Sequence, residues 1–181
     1  MKVVAVIGSP RENGVCAKVV NQLIAGAKDA GHEVVVYDVN KMNMHGCMAC
    51  GYCRANNADC IQNDDMKQYF EDLHSCGALI VSAPNYYAQV AGPMITFMNR
   101  HYCMTNAERK TRLTPGIKLI GVFAQGAPES VDKYDEAYKW YLGTFLAKEM
   151  KQEGMIVVGG DSDLSPEGKI MSGAYEMGKN L

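Results

Sequence analysis

Five short apolar runs are spaced along the chain, and each has the length of one buried β-strand. They cover residues 3–7, 34–39, 78–83, 118–124 and 155–158. The runs are rich in β-branched residues and contain few polar positions, which is typical of strands buried on both faces of a sheet. We expect Gly8-Ser9-Pro10 to end the first strand and Pro84-Asn85 to break the third, because these residues favour turns.

Segments with helical spacing of apolar residues separate these runs. In the first segment, Val15, Val19 and Leu23 share one helical face. The predicted helices cover residues 14–31, 64–75, 92–102, 131–152 and 166–179. Strands that alternate with helices predict an α/β fold, in which a parallel sheet carries helices on both faces. We expect one domain over residues 1–181, since this length suits a single core.

The composition narrows the class of protein. The 181 residues carry a net charge of −2, which gives no support for nucleic-acid binding. No apolar run approaches the ~18–20 residues that span a bilayer, and the first run is too short for a signal peptide. We therefore expect a cytoplasmic protein with no nucleic-acid or membrane partner.

Four of the seven cysteines follow the spacing C-x2-C-x2-C-x6-C. They are Cys47, Cys50, Cys53 and Cys60, in a cysteine-rich loop at residues 46–63 that is termed the cysteine segment below. Because the cytoplasm keeps thiols reduced, this motif indicates metal or redox chemistry rather than disulfides. Successive x2 spacing is typical of [4Fe–4S] ligation, whereas structural zinc usually takes paired C-x2-C units. The spacing alone does not decide between three alternatives: an iron–sulfur cluster, thiols without a cluster, and a zinc site.

The loop after the first strand, residues 8–16 (GSPRENGVC), places polar groups at the start of a helix. Backbone N–H groups and the positive end of the helix dipole favour an anion there. The loop lacks the G-x-x-x-x-G-K-[ST] and G-x-G-x-x-G patterns, which argues against a nucleoside-triphosphate or dinucleotide site. The alternatives are a phosphate site and an ordinary turn with a solvent-facing Arg11. Cys16 also has two interpretations. Its thiol pKa is lowered by the helix start, or its small side chain only packs near the phosphate.

Three loops, taken in chain order, resemble those of a known family. GSPRENG at 8–14, APNYYAQVAGPMITFMNR at 83–100 and FAQGAPES at 123–130 are similar to the flavin loops of flavodoxin-like NAD(P)H-dependent FMN reductases. The cysteine segment resembles the motif of the iron–sulfur flavoproteins, a branch of the same superfamily. The resemblance implies a flavodoxin-like three-layer fold whose five-stranded parallel sheet has the order 2-1-3-4-5.

The resemblance also implies the site residues. The FMN phosphate is expected to contact Ser9, Arg11, Asn13, Gly14, Val15 and Cys16. The isoalloxazine ring is expected to face Pro84, Asn85, Tyr86 and Tyr87 on one loop, and Ala124, Gln125 and Gly126 on another. The four cysteines are expected to ligate one [4Fe–4S] cluster near FMN, because their segment follows the second strand at the same sheet edge. No side chain is assigned a catalytic role, since the flavin supplies the redox chemistry.

The implied function is that of an FMN-dependent oxidoreductase. It would take hydride from NAD(P)H and reduce a small acceptor such as a quinone, a nitro or azo compound, or free flavin. An alternative is an electron carrier, in which ferredoxin loads the cluster, the cluster feeds FMN, and FMN feeds a partner. A third reading is a flavin-dependent sensor without rapid turnover. The resemblance also implies a homodimer or homotetramer, since the family's flavin ring lies against a neighbouring subunit.

Overall fold

The computed structural model describes all residues, 1–181, and alternates strands with helices along most of the chain. The strands are β1 (Lys2–Ile7), β2 (Glu33–Asp38), β3 (Ala78–Tyr86), β4 (Gln89–Val90), β5 (Lys118–Ala124) and β6 (Lys151–Val158). The helices are α1 (Val15–Asp29), α2 (Tyr52–Ala55), α3 (Met66–Ser75), α4 (Gly92–Arg100), α5 (Asp135–Leu146) and α6 (Lys169–Lys179). A 3₁₀ turn, His101–Met104, directly follows α4.

The five long strands form a parallel sheet in the order β2-β1-β3-β5-β6. The two-residue β4 pairs only with β3, antiparallel, as the second half of a hairpin. With β4 set aside, this is the predicted 2-1-3-4-5 order, and it confirms the flavodoxin-like fold. The carboxyl ends of the strands share one edge of the sheet, since Ile7 is in register with both Asp38 and Ser82.

Helices cover both faces of the sheet, because successive strand residues point to opposite sides. One face packs against α3, α4 and α5 in a cluster of 27 buried residues. The other face packs against α1 and α6 in a cluster of 14 buried residues. Within β1, Val4 and Val6 belong to the larger cluster, whereas Val3 and Ala5 belong to the smaller one. Burial on both faces explains why this strand is a continuous apolar run.

Strand β3 continues to Tyr86, so the predicted break at Pro84-Asn85 is wrong. Pro84 is in register with Ala124 of β5, but it lies beyond Ser82, the last residue of β3 that pairs with β1. The N–H group that proline lacks is therefore not needed for a ladder bond to β1.

Other boundaries also differ from the prediction. Helix α5 is shorter than the predicted 131–152, because it ends at Leu146 and β6 already begins at Lys151. Between them Glu149 has a φ of 62°, a left-handed conformation that terminates a helical turn. Helix α6 begins at Lys169 rather than at residue 166. None of the helices combines the length and the apolar character that a membrane span requires.

Candidate functional site

A cleft of about 280 Å³ lies at the carboxyl edge of the sheet, between the end of β3 and the loops that follow β1, β5 and β6. Eleven of the thirteen residues predicted to hold FMN line it: Ser9, Arg11, Gly14, Val15, Cys16, Pro84, Asn85, Tyr86, Ala124, Gln125 and Gly126. Asn13 and Tyr87 do not line it, whereas Gly160, which was not among the predicted residues, does. Loops far apart in the chain meet here because parallel strands end at a common edge.

The loop after β1 leaves the start of α1 free for an anion. No side chain caps this helix, and its first turn contains no acidic residue. The loop bonds within itself instead: the Gly14 N–H donates to the Arg11 carbonyl at 2.9 Å, and the Arg11 N–H donates to Ser9 Oγ at 3.3 Å. The first backbone N–H groups of α1 therefore have no capping partner. Together with the helix dipole they can bind a phosphate.

Cys16 is a packed thiol rather than an activated one. The residue is 1% exposed, and burial raises the pKa of its thiol to about 12. Desolvation therefore outweighs the backbone hydrogen bonds at Ala124 and Cys16, which lower the pKa. Of the two alternatives, the lowered pKa is wrong, and Cys16 contributes shape to the cleft.

Asn85 and Tyr86 form the opposite end of the cleft. The Asn85 Nδ2 group is buried and has no hydrogen-bond partner. A buried donor left unpaired costs free energy, which an acceptor atom of a flavin ring could recover. Tyr86 lies beside it and is 47% exposed, so its ring can stack on a flat ligand.

Tyr87 lies at the tip of the β3–β4 hairpin, outside the cleft. Tyr87 and Ala88 both have positive φ, 52° and 61°, as the two central residues of a type I′ turn require. These angles are unfavourable for residues that carry a Cβ. The Tyr87 side chain is fully exposed. Within one chain, Tyr87 therefore does not share the cleft with Tyr86, contrary to the expectation from the sequence.

Gln125 uses its side chain to shape the loop after β5. Its Nε2 group donates to the carbonyl oxygens of Pro128 and Val131, both at 2.9 Å. Its Oε1 atom accepts from the Tyr138 hydroxyl at 3.0 Å. Because this buried amide is engaged at both ends, Gln125 lines the cleft as a structural residue and not through a free polar group.

Two glycines of the loop after β6 allow a close approach of backbones beside the cleft. A Cβ at Gly159 would lie 2.1 Å from the Glu129 backbone nitrogen, and one at Gly160 would lie 2.6 Å from the Gly126 carbonyl oxygen. Only glycine fits at such distances. The signal available in the sequence is a Gly-Gly pair directly after the last strand, at the edge where these sheets bind ligands.

The cysteine segment folds around a second, smaller cavity. Five cysteines line it, the four of the motif and one from the 3₁₀ turn after α4: Cys47, Cys50, Cys53, Cys60 and Cys103. All five are free thiols. The segment is not entirely a loop as predicted, because α2 lies within it. At its base, the Asp65 N–H donates to the Asn43 carbonyl at 3.1 Å.

The sulfur atoms surround the cavity rather than meeting at one point. No group of three or more Cys, His, Asp or Glu side chains could hold a single metal ion, whereas a cubane cluster takes its ligands at four separate corners. The Ala49 N–H donates to Cys47 Sγ at 3.5 Å, and Gln62 Nε2 donates to Cys60 Sγ at 3.8 Å. Burial, and after it the charges of the other cysteines, raise the pKa of the Cys53 thiol. A positive group in the cavity would favour the thiolate form of Cys53.

Helix α4 runs from beside the cleft to the cysteine cavity, and the two cavities share no lining residue. The Ala91 N–H, just before the helix, donates to the Pro84 carbonyl at 3.1 Å beside the cleft. Arg100, its last residue, lines the cysteine cavity. Eight steps of 1.5 Å along a helix span roughly 12 Å. The segment follows β2 as predicted, and its cavity and the cleft are lined by different residues.

The comparison with known families covers most of the chain. A family model for NADPH-dependent FMN reductase matches residues 1–145, which include the cysteine segment and the loops after β1, β3 and β5. The chain belongs to the NADPH-dependent FMN reductase family. Membership of this family confirms the resemblance seen in the sequence.

Two relatives of the chain carry names that fit the cysteine motif. An iron–sulfur flavoprotein of Archaeoglobus fulgidus is 32% identical over 135 residues, which are 74% of this chain and 60% of that protein. An iron–sulfur flavoprotein of Methanosarcina thermophila is 26% identical over 163 residues, 90% of this chain and 79% of that protein. Among solved structures, an NAD(P)H:quinone oxidoreductase from Methanothermobacter marburgensis has a TM-score of 0.79 at 18% identity, covering 100% of this chain and 96% of that chain. This last likeness shows the common fold.

Proposed function

We propose that residues 1–181 form a single FMN-binding domain of an oxidoreductase. The observation that carries the proposal is that an uncapped helix start and an unpartnered amide donor lie in one cleft. The phosphate would be held at the start of α1 by Ser9, Arg11 and the backbone from Gly14 to Cys16. The ring would lie towards Asn85 and Tyr86 and the glycine-rich loops after β5 and β6. FMN supplies the hydride and electron chemistry when it is bound.

NAD(P)H is the proposed electron donor, and a small oxidised molecule is the proposed acceptor. The family description supports the nicotinamide donor. The shared fold with an NAD(P)H:quinone oxidoreductase supports a quinone among the acceptors, beside nitro or azo compounds and free flavin. The exposed Tyr86 supports a ring end that such small molecules can reach.

Titration of the cofactor-free protein with FMN and with riboflavin tests the site. FMN should bind at one per chain, and riboflavin much more weakly, because only FMN carries the phosphate that the start of α1 can hold. Equal affinities for the two would contradict the phosphate site. Mixing the FMN-loaded protein with NADPH, NADH or reduced ferredoxin in a stopped-flow instrument then identifies the donor by the loss of flavin absorption. Reduction by neither nicotinamide would contradict the proposed donor.

We also infer that Cys47, Cys50, Cys53 and Cys60 ligate one [4Fe–4S] cluster, and a second candidate function follows from it. Five cysteines around one cavity support the inference, as do the names of the two archaeal relatives. In this second reading the chain is an electron carrier, which ferredoxin loads through the cluster and which passes electrons through FMN to a partner. Reduction of the flavin by ferredoxin but not by NAD(P)H would favour the carrier.

Anaerobic reconstitution with iron and sulfide tests the cluster. About four of each per chain are expected, and Cys50→Ser should abolish them. Cys103→Ser is a matched control, because Cys103 lines the same cavity but already donates its S–H to the Arg100 carbonyl at 3.2 Å, and burial raises the pKa of its thiol to about 12. An anaerobic sample that binds FMN fully but takes up no iron or sulfide would contradict the cluster. Equal loss of iron in both variants would contradict the choice of ligands.

A homodimer or homotetramer in the cytoplasm completes the proposal. Large exposed apolar side chains support an oligomer: Tyr87 at the hairpin tip, Trp140 beside Gln89 of β4, and Met48 and Ile61 at the cysteine cavity. Apolar side chains that lie together on a surface often pack against a partner. The free thiols fit a reducing compartment. A monomer in sedimentation at micromolar concentration would contradict the oligomer.

A further inference from the structure

Arg100, the last residue of α4, is a buried charge beside the cysteine cavity. The residue is 1% exposed, and it lines the cavity together with Cys53 and Cys60. A buried guanidinium destabilises the fold unless it is paired and its N–H groups are hydrogen-bonded. The partners of its three nitrogen atoms therefore matter.

Two of the three nitrogen atoms are fixed by the protein. The Nη1 group donates to the His45 carbonyl at 2.8 Å and to the Asp64 carboxylate. The Nη2 group donates to Asp64 Oδ1 at 3.1 Å. Asp64 in turn accepts from the His45 N–H at 3.3 Å and from the Met66 N–H at 3.2 Å. The guanidinium is thus held between the start of the cysteine segment and the start of α3.

The third nitrogen, Nε, is buried and has no hydrogen-bond partner. An N–H group of a charged side chain that is left unpaired in the interior is unfavourable, and a sulfur acceptor in the cavity would satisfy it. An arginine side chain stays protonated in proteins. The side chain is therefore a permanent cation that is electrostatically coupled to the cavity.

We propose that Arg100 is a positioning residue that donates its free Nε–H to a sulfur atom in the cysteine cavity and thereby raises the reduction potential of the cluster held there. The inference rests on the proposed [4Fe–4S] cluster. One-electron reduction adds one negative charge to the cluster, and a fixed donor stabilises that added charge. Because Asp64 and His45 hold the guanidinium in place, the donor does not have to reorganise when the charge arrives.

Arg54 provides a matched control of the same residue type. It directly follows Cys53, and its Nε group is likewise buried without a partner. However, its guanidinium lies over the Tyr102 ring at 3.9 Å from the centroid and donates to Thr105 Oγ1 at 3.3 Å. Arg54 does not line the cavity. A change at Arg54 therefore tests for general effects of losing a buried guanidinium near the segment.

The experiment compares the wild type, Arg100→Lys and Arg54→Lys after anaerobic reconstitution. Lysine keeps the positive charge opposite Asp64 but has no Nε donor in a rigid fork. Iron and sulfide are measured first, and the potential is then titrated with dithionite while the EPR signal of the reduced cluster is recorded. The Arg100→Lys protein should keep its iron, but the equilibrium constant for reduction of its cluster should fall at least tenfold. For a one-electron couple this corresponds to a reduction potential lower by about 59 mV. Arg54→Lys should titrate like the wild type.

The outcomes separate this inference from the cluster itself. A wild type without iron would overturn the cluster, whereas a loaded Arg100→Lys with the wild-type potential would overturn the role of Arg100 and leave the cluster standing. An equal shift in both variants would also overturn it. If Arg100→Lys does not fold, the wild type and Arg54→Lys are labelled with [¹⁵N]arginine. A nitrogen coupling to the reduced cluster in both proteins supports the hydrogen bond from Arg100, and its absence overturns it.

Discussion

Replacing Val15 by Asp should stabilise the free protein and weaken FMN binding, two effects of opposite sign from one carboxylate. Val15 is the first residue of α1 and lines the cleft. At 36% exposure it can be replaced by a polar side chain without opening the core. Because the first turn has no acidic residue and no side-chain cap, an aspartate there gains the full interaction with the helix dipole, about 0.3–1 kcal/mol.

The cost to FMN binding follows from charge repulsion. At an effective dielectric constant of ~20, two unit charges roughly 6 Å apart repel each other by about 3 kcal/mol. The phosphate carries more than one negative charge near neutral pH, so this value is a lower bound. Since about 1.4 kcal/mol corresponds to a factor of ten in Kd, FMN should bind at least ~100-fold more weakly. Riboflavin has no phosphate, and its affinity should be nearly unchanged.

The assay measures the melting temperature of the cofactor-free protein and the Kd of FMN and of riboflavin by fluorescence. Val15→Asn is the matched control, because it has the same shape as the aspartate variant without its charge. Added salt should restore part of the FMN affinity of Val15→Asp by screening the repulsion. If Val15→Asn loses FMN equally, or if riboflavin weakens as much as FMN, the phosphate does not lie at the start of α1.

Three further predictions concern single buried groups. Gln125→Leu removes three hydrogen bonds and leaves the Tyr138 hydroxyl unpaired, so the free energy of unfolding should fall by about 2–4 kcal/mol in thermal or urea denaturation. Asn85→Ala removes a donor that has no partner, so stability should stay within about 0.5 kcal/mol while FMN, measured by titration, loses roughly 1–1.5 kcal/mol of binding. Burial lowers the pKa of His101 to about 3, whereas an unfolded histidine binds a proton below about pH 6.5. Stability should therefore be lost as the pH falls below 6.5, by up to ~1.4 kcal/mol per pH unit, and this dependence should be weaker in His101→Gln.

Each of these predictions has a result that contradicts it. Gln125→Leu with an unchanged melting temperature would mean that the loop after β5 does not depend on the buried amide. A stability loss in Asn85→Ala without a loss of FMN would make Asn85 a structural residue. For the pH dependence, the exposed His45→Gln serves as the control variant. Equal pH slopes for His101→Gln and the wild type would show that His101 takes up a proton in the folded state.

The sheet could be predicted because a strand that is buried on both faces has a continuous apolar sequence. A run such as Val3–Ile7 has no alternation to obscure it, and its ends carry strong turn residues. The ends of strands and helices were harder to predict where the local preference of a residue conflicts with its position in the folded chain. Pro84 favours a break in isolation, yet in the sheet it lies just past the pairing with β1, where its missing N–H does no harm. In the same way, the apolar pattern of α5 runs on towards β6, and a turn at residues 147–150 that contains the left-handed Glu149 separates the two elements.

The candidate site was predictable where it consists of contiguous loop residues, and less so where it depends on side-chain direction. The loops after β1, β3 and β5 came from motifs, and they meet as expected. The inward turn of the Gln125 amide and the outward position of Tyr87 depend on hydrogen bonds and hairpin geometry that the sequence does not reveal. Gly160 and Arg100 were missed for a different reason: each reaches a cavity built mainly by segments distant in the chain.

The position of α4 explains how one small domain can hold two sites that have separate lining residues but a constant distance between them. The cleft is built from the end of β3 and the loops after β1, β5 and β6. The cysteine cavity is built from the cysteine segment, the end of α4 and the 3₁₀ turn after it, so a substitution can affect one site alone. Helix α4 links the two sites, and its inner residues Met94, Phe97 and Met98 are buried in the larger core cluster. A packed helix of this kind is rigid, because the interior has little free volume into which it could shift. The distance between the two candidate sites within a chain is therefore set by core packing, and not by the loops that bind the ligands.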